Sequence, residues 1–221
     1  MRAIRRVTAL LTLSGITLLF PSHSASGQGQ DTQAREINRK GVELQAQGKL
    51  AEAAEAYRQA IHLNATGAAS HNNLAIVLKD LEQLDNAEQE ERLALKIKPK
   101  RADYHCNLGI ILQREKKLPE AEQEFRQACT LDAMDTESHF RLAQTLKDLG
   151  QLEDAQDEIK LALMLSPEEG AYHHLFGDIL LQQKKLEEAL LEYNKSIEPG
   201  KPVPGELRSK LDYLHQALSR N

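Results

Sequence analysis

From Ala34 to Pro199 apolar residues recur at helical spacing, and the whole pattern repeats every 34 residues. Copies begin at Ala34, Ala68, Ala102, Thr136 and Gly170. Counting the first residue of a copy as position 1, the first half carries a mostly apolar stripe at positions 4, 7, 8 and 11. In the middle copy these are His105, Leu108, Gly109 and Leu112. Spacings of three and four residues turn one face of an α-helix toward a core. The second half repeats the signal with Ala121, Phe125, Ala128 and Cys129. Between the halves a short turn ends in Leu50, Leu84, Leu118, Leu152 and Leu186. Pro119 follows one of these, where a helix begins and a missing N–H costs nothing. The pattern predicts two antiparallel helices per copy, and hence an all-α solenoid of helix pairs.

Small residues mark where the helices of a pair must approach closely. Gly41, Ala75, Gly109, Ala143 and Gly177 occupy position 8, and Ala53, Ala87, Ala121, Ala155 and Ala189 occupy position 20. An axis separation near 8 Å requires side chains of this size at the crossing. A second period lies over the first. The odd copies pair Gly at position 8 with an aromatic at position 24 (Tyr57, Phe125, Tyr193), whereas the even copies pair Ala with Glu91 or Ile159. Five units are therefore expected, at 34–67, 68–101, 102–135, 136–169 and 170–203. A breaker-rich run, Gly200 to Gly205, leads into a last helix within 204–221 whose stripe is Leu207, Leu211, Leu214 and Leu218. The polar opposite face of that helix suits it to cap the array.

The N-terminus breaks the pattern. Arg2, Arg5 and Arg6 precede the apolar run Val7 to Phe20, then Pro21 and small polar residues. Residues 1–27 have the form of a secretory signal peptide, with an apolar stretch short of the ~20 residues a bilayer span needs. Export is expected, with an uncleaved membrane tether as the alternative, and 28–33 is expected to be a mobile polar linker. No stable membrane span is expected after cleavage.

The positions Gly109, Ala121, Phe125 and Ala128, with Pro99 and Pro167 at position 32 of neighbouring copies, closely resemble the tetratricopeptide repeat (TPR). The resemblance runs from Ala34 to about Pro199 and lacks the family's Trp at position 4, where Ile37 and then histidines stand. It implies a right-handed superhelix with a concave groove that binds a protein or peptide partner, without catalysis. The groove positions it implies include Asn38, Val42, Asn72, Ile76, Lys79, Cys106, Ile110, Arg114, Phe140, Gln144, Lys147, His174 and Asp178. The competing reading is a structural or oligomerising module that acts through its convex face or terminal helix.

Composition narrows the classes further. No Trp, few aromatics and many helix formers suit a helical array. The formal charge of −5 becomes −8 once the three arginines of the leader are removed, and no basic stripe is present, which argues against nucleic acid. No phosphate loop, nucleophile elbow or paired-acid motif appears. No enzyme, cofactor or small-molecule substrate is therefore expected. Acidic runs such as Glu88 to Arg92 read as a solvated convex face.

Four histidines recur at the period: His71, His105, His139 and His173. Repeat-related side chains sit roughly 8–10 Å apart, too far to converge on one ion whose ligands must lie at ~2.0–2.1 Å. They are read as packing, and no metal is expected. Cys106 and Cys129, both in the third copy, leave two readings open: a disulfide if the compartment is oxidising, or separate thiols with Cys129 replacing the Ile or Leu of other copies.

Overall fold

The computed structural model describes residues 23–197 and 202–219, and among them every regular element is an α-helix. In chain order these are α1 (His23–Ala46), α2 (Leu50–Leu63), α3 (Ala68–Asp80), α4 (Leu84–Ile97), α5 (Ala102–Arg114) and α6 (Leu118–Leu131). They continue as α7 (Thr136–Asp148), α8 (Leu152–Leu165), α9 (Gly170–Gln182), α10 (Leu186–Lys195) and α11 (Gly205–Leu218). The second helix of every unit begins at the leucine that closes the turn. Acidic residues occupy the first turns of these helices, Glu52, Asp85, Glu120, Glu153 and Glu187 among them, where they complement the positive end of the helix dipole.

The turn between paired helices has one geometry throughout. The residue at position 15 is left-handed in every unit: Gly48, Glu82, Lys116, Gly150 and Lys184, with φ between 59° and 77°. The following N–H reaches back five residues, as from Lys117 N to Leu112 O at 2.9 Å and from Gln83 N to Leu78 O at 2.9 Å. This closure satisfies carbonyls that a helix end otherwise leaves open.

Consecutive helices pack in order along the chain, and successive first helices also touch one another, α1 on α3, α3 on α5, α5 on α7 and α7 on α9. Among the described residues the backbones of successive second helices do not approach as closely and are joined only by long side chains, such as Arg92 with Glu120 at 3.2 Å and Arg126 with Asp154 at 3.1 Å. The stack therefore bends with the first helices inside, and they line its concave face.

The five alanines at position 20 have no exposed surface. In the odd units the ring at position 24 fills the space over the glycine: a Cβ on Gly109 would stand 2.6 Å from Phe125, and one on Gly177 would stand 2.6 Å from Tyr193. Glycine at these positions is a steric requirement of the aromatic. In the second unit the same place holds Glu91, whose surface is wholly buried. The expectation that Glu88 to Arg92 is a solvated face fails at this residue, because helical spacing turns positions 87, 91 and 94 inward together. Arg92 does face outward and pairs at 2.6 Å with Glu88, which is half-buried.

Residues 28–33, expected as a linker, are helical and belong to α1. Gly29 is the poorest helix former in that run and does not interrupt it, and Asp31 accepts a hydrogen bond from Asn64 Nδ2 at 2.9 Å, which ties the run to the end of α2. The expected signal segment lies outside the described residues up to Ser22, and His23 to Gly27 open α1. Among the described residues no helix is long and apolar enough to cross a membrane.

Helix α11 packs on α10, as a sixth first helix would, but does not approach α9 as closely as successive first helices approach one another. Leu207 and Leu214 are buried against the fifth unit with Leu180 and Tyr193. Lys210 Nζ donates to Asp178 Oδ1 at 2.7 Å.

Candidate functional site

Because the first helices line the concave face, each unit contributes side chains from one helix to the groove. Val42 is exposed there, and Ile76, Ile110 and Phe140 are half-buried. Phe140 stacks on Tyr172 of the next unit, with ring centres 4.8 Å apart, and the Arg141 guanidinium lies 5.6 Å from its ring centre. Around this apolar row stand charges of both signs. Lys79 pairs with Asp80 at 3.4 Å and Lys147 with Asp148 at 3.2 Å. Arg114 is exposed and donates from Nη1 to the Lys79 carbonyl at 2.8 Å, bridging the second and third units. Gln144 accepts from Gln113 at 3.2 Å.

Polar side chains stitch the groove floor between units. Asn73 donates to Asn38 Oδ1 at 3.3 Å, and Asn107 donates to Asn72 Oδ1 at 2.9 Å. Asn72 and Cys106 were expected to line the groove, but both are buried. Tight stacking of successive first helices draws position 5 into the seam between units, where Asn72 serves the Asn107 bond. Burial pushes the Cys106 thiol up to about 11, so it is an inert core group. His174 and Asp178 were expected to face a partner. Instead Lys210 of α11 lies 3.4 Å from His174 Nε2 and donates to Asp178, so the chain's own last helix covers this end of the groove.

Glu91 lies beneath this floor. Its burial, reinforced by Asp103 and opposed by Lys79, pushes its carboxyl up to about 8. The Asn72 side-chain amide lies 3.1 Å from Oε1, within hydrogen-bond reach of the neutral carboxyl. Oε2 has no hydrogen-bond partner among the described residues. The carboxyl thus rests on an amide already shared with the third unit.

The periodic histidines pack in the seam as expected, but with a partner the sequence reading missed. Each Nδ1 meets a glutamate nineteen residues on: His71 with Glu90 at 2.6 Å, His105 with Glu124 at 2.6 Å, His139 with Glu158 at 2.7 Å and His173 with Glu192 at 2.6 Å. Each Nε2 faces the carbonyl six residues back, at Ala65, Pro99, Ala133 and Pro167. Each ring thus joins its own second helix to the loop of the unit before. The Glu90 carboxylate, helped by the Ala65 carbonyl, raises the pKa of His71 against the opposing effect of burial. A signal was present in the sequence: the first unit lacks the histidine, having Ile37, and lacks the glutamate too, having Ala56.

The two cysteines are free thiols. Cys106 lies against Ser138 and Cys129 against His139, so each faces the fourth unit and not the other.

Family profiles described as "TPR repeat" match residues 41–82, and two described as "Tetratricopeptide repeat" match 68–101 with 102–133, and 140–204. No curated protein sequence matches the chain. Among solved structures, Pseudomonas aeruginosa pilF superposes with a TM-score of 0.71 at 20% identity, over 87% of this chain and 93% of that one. YrrB, described as a TPR protein with an unusual peptide-binding site, gives 0.67 at 19% identity over 89% and 96%. MamA from Desulfovibrio magneticus RS-1 gives 0.69 at 18% identity over 83% and 97%. At such identities these likenesses speak for the fold alone, and with the family profiles spanning most of the chain they place it in the tetratricopeptide repeat family.

Proposed function

We propose that this protein is an exported, non-catalytic scaffold whose concave groove holds an extended peptide or a helix of a partner protein. The observation that carries the reading is the row of accessible apolar side chains along the first helices, from Val42 through Ile76 and Ile110 to Phe140. Lys79, Arg114 and Lys147 flank it and can hold acidic groups of a bound chain. Apolar surface grouped in a concavity and rimmed by charge is how soluble proteins mark an interface. YrrB, of like fold, is described as having a peptide-binding site, which agrees with this use of the scaffold. Because α11 covers His174 and Asp178, the proposed groove is confined to the first four units.

A second reading has its own observation. Leu93, Leu161, Met164 and Leu191 stand exposed on second helices, Met164 at 78%. These would serve association through the convex face. The variant Ile110→Asp with Phe140→Asp separates the two, since it charges the groove and leaves those four residues untouched. Affinity capture from the cell envelope that loses its specific partner, with helicity and oligomeric state preserved, supports the groove. A partner retained by the folded double variant refutes it.

A further inference from the structure

In the second to fifth units the seam repeats one arrangement, a histidine between a glutamate and a carbonyl. The fourth unit's copy differs in its surroundings. The preceding unit offers His139 the thiol of Cys129, whereas the equivalent residues before the other three rings are Ile61, Leu95 and Leu163. Cys129 on α6, His139 on α7 and Glu158 on α8 bring a sulfur, a nitrogen and an oxygen within 4.8 Å of one another. Among the described residues no other such trio of metal-ligating groups occurs.

We propose that Cys129, His139 and Glu158 bind one divalent transition-metal ion of the zinc class, clamping the third and fourth units together. The donor set is the mixed soft and borderline one that such ions take. The spacing fits. Ligand distances of ~2.3 Å to sulfur and ~2.0 Å to nitrogen or oxygen place tetrahedral donors ~3.3–3.5 Å apart, so the widest pair closes by up to ~1.3 Å and the Nδ1–Oε2 pair opens by ~0.6 Å, changes within reach of side-chain rotation. The orientation of the imidazole is already that of a ligand. Its Nε2–H donates to the Ala133 carbonyl at 3.3 Å and leaves Nδ1, 2.7 Å from Glu158 Oε2, on the side of the trio. Metal-binding histidines are commonly fixed in this way by a carbonyl behind them. The ring is buried while Cys129 and Glu158 are half-buried, so the site has a rigid base and an open side where water completes the coordination. On binding, the thiol proton and the proton shared by His139 and Glu158 leave to solvent, and no electron is transferred. The other three histidine–glutamate pairs lack the soft donor and act as internal controls.

Titration of the reduced protein with Co2+ tests this. The expected result is one equivalent bound, with a thiolate-to-cobalt charge-transfer band and the strong visible bands of a tetrahedral ion, displaced by Zn2+. Cys129→Leu installs the residue that the second and fourth units carry at this position, so it is compatible with the fold. It should abolish the charge-transfer band and weaken Zn2+ binding by ~100-fold or more, beyond the 10–100-fold typical of losing a supporting residue. Leu95→Cys should build the equivalent trio with His105 and Glu124 and add a second equivalent. Absence of the thiolate band in the wild type, its survival in folded Cys129→Leu, or no second equivalent in folded Leu95→Cys would each overturn the proposal.

Discussion

Replacing Glu91 with glutamine tests how the groove floor is held together. The buried carboxyl has its pKa raised from an ordinary 4.5 to about 8, so the folded protein retains a proton that the unfolded chain gives up. The contribution of this residue to stability is therefore best below pH 4.5 and worsens as the pH rises toward 8. Each pH unit in that window costs ~1.4 kcal/mol, which makes the penalty about 3 kcal/mol at pH 7 and under ~1 kcal/mol at pH 5. Glutamine has nearly the same shape and can share a hydrogen bond with the Asn72 side-chain amide at any pH. Glu91→Gln should accordingly raise the melting temperature by roughly 6–12 °C at pH 7 and by little at pH 5. Lys79 on α3 and Asp103 and Tyr104 on α5 are the neighbouring groups that also titrate or carry charge, and they are common to both proteins. The measurement is thermal denaturation followed by circular dichroism at pH 5, 6, 7 and 8. A difference between the two proteins that does not change with pH would refute a neutral, buried Glu91.

Two further substitutions probe the packing. Gly109→Ala should destabilise by ~1–3 kcal/mol in urea denaturation despite alanine's better helix propensity, because its methyl would meet Phe125 at 2.6 Å, and Phe125→Leu in the same chain should recover part of the loss. Lys116→Gly should raise stability by ~0.5–1 kcal/mol, since φ at this turn is 65° and a side chain there is strained, while the same change at an exposed right-handed helical site such as Lys96 should lower it.

Much of this architecture could be read from the chain because its determinants are local and repeated. The leucines at 50, 84, 118, 152 and 186 fix where second helices start, and the alanines at position 20 fix how closely the pairs pack. What escaped were pairings between helices. Periodicity places Glu90 and His71 on their respective faces but does not say that the faces meet, and the charged run around Glu91 conceals a residue whose phase points inward. Asn72 and Cys106 were misplaced for a related reason: position 5 lies at the edge between groove and seam, and the depth to which successive helices interlock decides which it joins. The run 28–33 is helical and not a linker because a polar stretch with a single glycine and no proline is as compatible with an exposed helix as with coil. The covering of His174 and Asp178 depends on α11, which docks where the repeat period has already lapsed.

The ties between units also bear on how the chain reaches this shape. The longest-range side-chain hydrogen bond among the described residues spans 36 positions, from Lys210 to His174, and the four periodic histidine rings bond no farther than nineteen positions away. Loop closure costs little over such distances, and chains dominated by local contacts fold quickly. Each unit can complete its bonds once its successor has emerged, so the array can assemble vectorially, from the N-terminus onward, while the rest of the polypeptide is still being delivered. Lengthening such an array would add folding steps in series without making any of them slower.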